Sequence, residues 1–318
     1  MSFSTEVKKE ITKIETTKTE YIAELSAFIR NNAYIDDELI RIYTENSSIA
    51  RRVFTLFKEI YQIQCKITVR RNFNFKKNYI YLLEIIPRNN DILQDLAIIN
   101  EEKYFVNIPR NYIINDDEEK KAYLRGCFLS CGSINNPKTS RYHLELLIDD
   151  NEYSVFINNL LNEYNLNSKI IKRVRGFMIY IKEAEKIGDF LRIIQAHNAV
   201  LFFEDVRIYR SHKNNTNRLN NCEQANVEKV INTALRQTDD IQCISDEIGL
   251  DVLDEKLKEV AIYRLKHPEA SLLELSEIMS IDFSKAITKS GLNHRFRKLK
   301  KMADSIRKNK KKILEIKK

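Results

Sequence analysis

The pattern of apolar and polar positions divides the first two thirds of the chain into two copies of one arrangement. Each copy opens on an apolar helix with small residues on one side, at Leu25–Ala33 and at Leu124–Gly132. Helical and alternating apolar spacings then predict a strand, a helix, two strands and a closing helix. These elements are expected at 39–44, 49–61, 66–71, 79–86 and 90–96, and again at 143–148, 153–164, 169–175, 177–182 and 184–194. A leading helix over 3–14, with Ser4 as its N-cap, precedes the first copy. This repetition predicts two half-domains of one design.

Small residues inside the two opening helices suggest that these helices pack closely. Ser26, Ala27 and Gly126 lose packing volume, and a glycine costs about 1 kcal/mol of helix propensity relative to alanine. An ordinary core helix with one tolerated glycine would explain Gly126 alone. Because small residues recur at equivalent places in both copies, we favour a close seam between two helices.

Beyond His197 the pattern changes and a second domain is expected. A last strand at 206–210 is followed by a polar stretch at 211–220 that is typical of a linker. From there on only helices are expected, at 225–238, 240–248 and 253–266. The chain is therefore predicted to be α+β. A duplicated αββαββα domain with antiparallel sheets covers 1–210, with copies at about 20–96 and 116–195. A helical domain covers 221–318.

A helix-turn-helix is expected over about 271–305. Ser271 and Glu274 form a capping box that opens a short helix at 272–279, and a turn then leads to a basic helix at 290–308. On this second helix Leu292, Phe296 and Leu299 share one face and would anchor it. The residues predicted to contact DNA are Ser271, Lys289, Ser290, Asn293, His294, Arg295, Arg297, Lys298 and Lys301. Among these, Asn293 and Arg295 are the side-chain types that read adenine and guanine edges. A surface helix with a solvated polar face is the alternative.

The charge distribution supports a polyanionic partner. The chain of 318 residues has a formal net charge of +8, and Arg295–Lys318 contains 12 basic and two acidic residues. The remainder is close to neutral, which favours nucleic acid as the partner of the basic end over general solubility. A solvated lysine tail is the alternative.

Other features of composition bound the class of protein. No run reaches the ~20 apolar residues of a membrane helix, and the polar start lacks a signal peptide. A cytoplasmic protein without membrane contact is expected. The five cysteines include no CxxC pair, and Cys127 and Cys131 are interpreted as small buried thiols. We expect no metal site and no cofactor.

Several stretches resemble the WhiA family of bacterial regulators of sporulation and cell division, over essentially the full length. They are 23–30, 123–126 with 132–133, 221–226, 265–272 and 289–295. The resemblance implies an N-terminal domain similar to LAGLIDADG homing endonucleases, joined to a C-terminal helix-turn-helix. It further implies a DNA-binding transcription factor associated with cell division, chromosome segregation and, in sporulating bacteria, sporulation.

The resemblance to nucleases can be tested on the residues that would hold metal ions. In those enzymes an acid near the end of each opening helix holds the divalent metals, whereas Asn32 and Cys131 stand at the matching positions. The neighbouring aspartate of the motif is replaced by Arg30 and Leu129. We therefore expect a catalytically inactive domain and a protein that is not an enzyme.

The predicted sheets carry basic residues on corresponding hairpins, namely Arg70, Arg71, Lys76, Lys77, Lys172, Arg173 and Arg175. In the nuclease architecture such strands line the DNA groove. A charged solvent face of an antiparallel sheet explains the same residues, and a protein-binding surface is a third possibility.

These observations predict a monomeric, nucleoid-associated regulator that binds double-stranded DNA. It would be monomeric because two repeats in one chain already supply the internal two-fold. One alternative is a scaffold whose N-terminal domain binds another regulatory protein while the basic end anchors it to the nucleoid. The other is a nuclease that uses displaced acids.

Overall fold

The chain divides into two compact units, residues 1–211 and 212–318. The computed structural model describes residues 2–36, 39–71, 79–86, 91–139 and 141–316, with side chains given as far as residue 310. The N-terminal unit opens on α1 (Phe3–Ile11), whose N-cap is Ser2 rather than the predicted Ser4. The Ser2 hydroxyl accepts a hydrogen bond of 3.2 Å from the backbone N–H of Thr5, which satisfies one free donor of the first turn.

The rest of the N-terminal unit consists of two copies of the order αββαββα, as predicted. The first copy contains α2 (Lys18–Asn32), β1 (Ala33–Ile35), β2 (Ile40–Thr44), α3 (Ser47–Tyr61), β3 (Lys66–Arg71), β4 (Tyr79–Ile85) and α4 (Asp91–Asp95). The second copy contains α5 (Asp117–Cys131), β5 (Gly132–Ile134), β6 (Leu144–Ile148), α6 (Asn151–Glu163), β7 (Lys169–Lys172), β8 (Phe177–Ile181) and α7 (Ala184–Ile193).

Each copy forms one antiparallel four-stranded sheet with the same strand order. The orders are β1-β2-β4-β3 and β5-β6-β8-β7. Strand β2 shows why the sequence folds this way, since Ile40 and Ile42 are fully buried while Arg41 and Tyr43 point to the opposite face. Each sheet therefore buries one face against the helices of its copy.

Helices α2 and α5 form the predicted close seam at the centre of this unit. A Cβ added at Gly126 would lie 2.2 Å from the backbone oxygen of Glu24 and 2.9 Å from the Cβ of Ala27. Only a residue without a side chain leaves room for this approach. The prediction from the small residues is confirmed.

A buried ionic cluster joins the same two helices. The carboxylate of Glu24, which is fully buried, accepts bonds of 2.8 and 2.9 Å from Arg52 and of 2.7 Å from Arg125. Arg52 also donates to the backbone oxygen of Ile14 at 2.6 Å. Burial of ions is costly unless they are paired and hydrogen-bonded, so the cluster fixes which side chains can face each other across the seam.

Residues 206–220 are helical, which corrects the predicted strand at 206–210 and the predicted irregular conformation of 211–220. They lie inside α8, one helix that covers His197–Ile248. Their many asparagines suggested a linker, but the stretch contains no glycine or proline that would break a helix. The helix ends where Gly249 takes a positive φ of 81°, as is common after helix ends.

After a short 3-10 helix at Leu250–Val252, the described part of the C-terminal unit continues with α9 (Glu255–Lys266), α10 (Leu272–Asp282) and α11 (Lys289–Ile316). They pack around one apolar core that includes Ile241, Leu257, Leu275 and Leu292. Helix α11 extends to residue 316, whereas the sequence suggested that it would end at 308 in a basic tail without regular structure.

Candidate nucleic-acid interface

Helices α10 and α11 form the predicted helix-turn-helix. The capping box is present, since Ser271 Oγ accepts from the backbone N–H of Glu274 at 3.2 Å and Glu274 accepts from the N–H of Ser271 at 2.7 Å. These hydrogen bonds hold the pKa of Glu274 below its usual value. Ser271 was predicted as a DNA contact, but in this structure its side chain is half-buried and caps α10.

The turn between the two helices is fixed by Ser280. Its hydroxyl donates to the backbone oxygen of Ser276 at 2.6 Å and accepts from the N–H of Ile287 at 2.9 Å. Ser284 has a positive φ of 47° within this turn. The start of α11 is thus tied directly to the body of α10.

The buried side of α11 is the one predicted from sequence. Leu292, Phe296 and Leu299 are all buried. Beneath them lies Arg264, which is 1% exposed and places its guanidinium 5.3 Å from the ring centroid of Phe296. Arg264 also donates to the backbone oxygen of Ala270 at 2.6 Å. Burial lowers the pKa of Arg264. No sequence pattern identified this anchor, because its partners lie in another helix and in a loop.

The opposite side of α11 presents most of the predicted contact residues to solvent. Successive helical residues are rotated by about 100°, which places His294 and Lys301 directly opposite the buried side. Arg297 and Lys298 lie next to them, and all four are exposed. Lys289 and Ser290 are exposed at the start of the helix. The result is one basic surface, called here the outward face, formed by Lys289, Ser290, His294, Arg297, Lys298 and Lys301.

Asn293 and Arg295, the two predicted base readers, do not lie together. Both are half-buried, and they occupy opposite flanks of α11. Asn293 lies on the flank that faces α8, where it lines a cavity with Thr233 and Arg236. Both residues were predicted to read bases, but the structure places them on different sides of the helix.

Part of the basic end of α11 is neutralised by contacts with α8. Arg307 donates to Asp240 at 2.6 Å, and Lys310 pairs with Glu247. The pKa values of both basic groups are raised, first of all by these hydrogen bonds. Lys308 is exposed. The basic end therefore includes structural ion pairs, whereas Lys308 forms no ion pair with the residues that the structure describes.

The basic residues of the two sheets do not form one surface. Arg70 lies opposite Ile80 and Arg71 opposite Tyr79, so the two arginines point to different faces. Lys172 lies opposite Phe177 on the helix-covered side of its sheet. Arg173 and Arg175 belong to the following turn, and Lys76 and Lys77 lie outside the described residues.

The solvent faces of these sheets are only weakly basic. In the first sheet Lys66 pairs with Glu84 at 3.2 Å. In the second, Leu147 and Ile171 stand on the solvent face, 46% and 40% exposed. Acidic and apolar residues therefore interrupt the basic ones.

The ends of α2 and α5 do not offer the donors that a divalent metal needs. Asn32, the last residue of α2, donates its amide to the backbone oxygen of Tyr43 at 3.2 Å. Burial raises the pKa of the Cys131 thiol, at the end of α5, to about 11. Lys8 lies nearby and donates its ammonium to the backbone oxygen of Leu129 at 3.1 Å. An amide at one helix end, and a cation beside a protonated thiol at the other, do not fit a site for Mg²⁺.

The neighbouring motif position carries a second cation. Arg30 donates to the backbone oxygens of Ala97 and Asn107, at 2.6 and 3.1 Å, and to that of Val106. It thereby fixes the irregular segment after the first copy. Across the described part of the chain, no three His, Cys, Asp or Glu side chains are grouped so that they could hold a metal ion. Within the same residues no helix is both long and apolar enough to span a membrane.

Family models match three segments of the chain. The WhiA N-terminal LAGLIDADG-like domain matches residues 18–99, the WhiA LAGLIDADG-like domain matches 120–213 and the WhiA C-terminal HTH domain matches 216–303. The chain belongs to the WhiA family. The resemblance noted from the sequence is confirmed, as is the α+β fold with a LAGLIDADG-like repeat followed by a helix-turn-helix.

Relatives in this family are similar over nearly their whole length. A protein of Exiguobacterium sibiricum named "Probable cell division protein WhiA" is 45% identical over 312 residues, covering 96% of this chain and 97% of the relative. A protein of Staphylococcus epidermidis with the same name is 44% identical over 311 residues, covering 96% and 98%.

Solved structures of the family share the fold. Full-length DUF199/WhiA from Thermatoga maritima matches with a TM-score of 0.59 at 26% identity, over 96% of this chain and 99% of that one. The N-terminal LAGLIDADG domain of DUF199/WhiA matches with a TM-score of 0.50 at 26% identity, over 61% and 90%. The WhiA relationship therefore extends across both units.

Proposed function

We propose that this chain is a sequence-specific regulator that binds double-stranded DNA and acts in cell division and chromosome segregation, and in sporulation where the host sporulates. The observation that carries the proposal is the outward face of α11, a basic surface on the second helix of a helix-turn-helix. A recognition helix enters the major groove with its N-terminal residues toward the base edges. The names of the relatives as probable cell division proteins support the process.

Within the outward face, base recognition and phosphate binding are assigned to different residues. Ser290, His294 and Lys298 occupy the first turns of α11, where side chains reach base edges. Lys301 lies further along the helix and suits a phosphate contact. A base contact contributes about 1–3 kcal/mol of discrimination, whereas a phosphate contact acts equally on every sequence.

The test begins with selection of bound duplexes from a random pool by the full-length protein. Dissociation constants are then measured for a selected duplex and a random one. His294→Ala should lower the ratio of the two affinities by about 5- to 150-fold. Lys301→Ala should weaken both duplexes by the same factor. Selection of no common sequence, or an unchanged ratio in His294→Ala, would contradict this assignment.

We also propose that nuclease activity is lost. The support is the chemistry at the ends of α2 and α5, where Asn32 and Cys131 replace carboxylates and Lys8 adds a cation. Purified protein should leave supercoiled and linear duplexes intact with Mg²⁺ or Mn²⁺. Cleavage that survives purification to constant activity, and that is lost in a variant of an acidic residue, would establish a nuclease with displaced acids.

A second candidate function concerns the N-terminal unit, which would bind another regulatory protein. The supporting observation is the exposed pair Leu147 and Ile171 on the solvent face of the second sheet. Leu147→Asp should leave DNA binding intact but fail to replace the wild-type gene in a cell-division assay. Full replacement by this variant would count against the candidate.

A further inference from the structure

A cavity of about 310 Å³ lies inside the C-terminal unit, between α8 and α11. Helix α8 contributes Thr233, Arg236 and Gln237, which share one side of that helix at spacings of three and four residues. From α11 the cavity receives Asn293, Arg297 and Lys300, which likewise share one flank. Two helices thus direct polar side chains toward one space.

The cavity carries an excess of positive charge. Arg236, Arg297 and Lys300 are exposed and have no carboxylate partner among the residues that the structure describes. A fourth cation, Arg307, is neutralised by Asp240 at 2.6 Å. Three uncompensated cations around one cavity repel each other and create a positive potential, so an anion that enters the cavity is stabilised.

The uncharged groups of the cavity also suit an anion. Thr233 and Asn293 both offer hydrogen-bond donors. The side-chain carbonyl of Gln237 is buried without a hydrogen-bond partner in the described part of the structure. Rotation about the terminal side-chain torsion would turn the NH₂ group of Gln237 toward a bound anion. Guanidinium groups bind phosphate in a bidentate fashion, which makes phosphate the best match.

The position of the cavity selects the source of that phosphate. Arg297 belongs to both the cavity and the outward face, and Asn293 directly precedes His294 of that face. A phosphate held in the cavity would therefore lie beside the groove that α11 enters. We propose that the cavity binds a phosphodiester of the DNA backbone, with Arg236 of α8 as a DNA contact outside the helix-turn-helix. This inference rests on the proposed DNA binding and assigns Asn293 to holding the backbone rather than to reading adenine.

The main test compares Arg236→Ala with Lys256→Ala in the full-length protein. Both changes remove one exposed positive charge from the C-terminal unit, but Lys256 lies outside the cavity. Arg236→Ala should weaken binding to selected and random duplexes equally, by about three- to tenfold at low salt. It should also reduce the slope of log affinity against log salt by about 0.9. Lys256→Ala should leave affinity and slope unchanged.

A gain-of-binding variant guards against misfolding as an explanation. Asp240→Asn removes the carboxylate among the described lining residues and leaves Arg307 only its longer ion pair with Asp304 at 3.7 Å, so it should tighten binding to both duplexes and steepen the salt dependence. Weaker or unchanged binding by a variant that melts at the wild-type temperature would overturn the charge argument.

Inorganic phosphate identifies the source of the anion. It is titrated against chloride at constant ionic strength, with the melting temperature as readout. Weak stabilisation that is lost in Arg236→Ala is expected, because the cavity suits phosphate from either source. If phosphate stabilises the wild type in this way and Arg236→Ala nevertheless binds both duplexes as Lys256→Ala does, the cavity takes a free anion and the DNA assignment is wrong.

The results separate this inference from the proposed function. Equal affinities and salt slopes for Arg236→Ala and Lys256→Ala on both duplexes would overturn the inference while leaving sequence selectivity intact. The inference would also be overturned if Arg236→Ala changed the ratio of the affinities for the selected and the random duplex, because Arg236 would then contact bases. If the wild type selects no common sequence, the proposal of sequence-specific binding fails. The salt slopes of Arg236→Ala and Lys256→Ala on random duplex still test whether the cavity binds DNA phosphate.

Discussion

Replacing Gly126 with alanine should destabilise the N-terminal unit, although alanine is the better helix former. The added Cβ would lie 2.2 Å from the backbone oxygen of Glu24 and 2.9 Å from the Cβ of Ala27. Favourable contacts between carbon atoms lie near 3.5–4.0 Å, so α2 and α5 must separate by about 1 Å. The obstructing oxygen belongs to the backbone of α2 and cannot rotate away.

The expected cost follows from two opposing effects. Overpacking a tight core costs about 1–3 kcal/mol, while the gain in helix propensity is about 1 kcal/mol at most. Separation of the helices would also stretch the bond of 2.7 Å between Arg125 and Glu24, and a buried pair tolerates this poorly. We expect a net loss of about 1–3 kcal/mol, which lowers the melting temperature of a unit of this size by about 3–10 °C.

Scanning calorimetry of the full-length protein measures this effect, because the chain contains no tryptophan whose fluorescence could report unfolding. Gly188→Ala is the matched control, since this glycine also lies within a helix of the N-terminal unit. Its added Cβ would meet the carboxylate oxygen of Glu204 at 2.7 Å, at the end of a side chain that can move. The control should melt within about 2 °C of wild type. If Gly126→Ala melts at or above the wild-type temperature, the seam is not as tight as described.

Four further predictions follow from other contacts. Glu24→Gln removes the anion between two buried arginines and should cost about 3–5 kcal/mol in urea denaturation; a loss below 1 kcal/mol would refute the cluster's role. Burial lowers the pKa of Lys8 from its usual 10.5 to about 8. The cost of burying the charged ammonium therefore destabilises the folded state below pH 8, and this cost is relieved as pH rises toward 10.5. Wild type should therefore gain about 2 kcal/mol relative to Lys8→Met between pH 7 and 10, and parallel pH profiles would disprove this. Arg70→Ala should leave DNA affinity and its salt slope unchanged if the sheets do not hold DNA. The full-length protein should sediment as a monomer in the micromolar range, and a stable dimer would contradict the internal two-fold.

The repeat could be predicted from the sequence because its signals are local. Strand β3 was predicted with the same bounds that the structure shows, and the burial of Leu292, Phe296 and Leu299 followed from helical spacing alone. The prediction of an irregular stretch at 211–220 failed because composition suggested a break where no glycine or proline enforces one.

The candidate site was less predictable because it depends on contacts between distant segments. Helical spacing shows that Asn293 and Arg295 flank a buried face, but it cannot show that α8 covers the side of Asn293. Lys8 and Arg264 also escaped detection, since each donates to backbone oxygens of another segment. Ser271 caps α10, as the capping box predicted, and its contact with DNA stays a prediction.

The ionic cluster at the seam makes the two halves of the repeat non-interchangeable. At matching positions the first half has Glu24 and Ser26, and the second has Tyr123 and Arg125. If two chains exchanged halves so that α5 packed against α5, two arginines would be buried without a carboxylate, and α2 against α2 would leave each Glu24 without Arg125. Such pairings are penalised by several kcal/mol. The two halves are thus a matched pair, and either half transplanted beside a copy of itself would lack its complement.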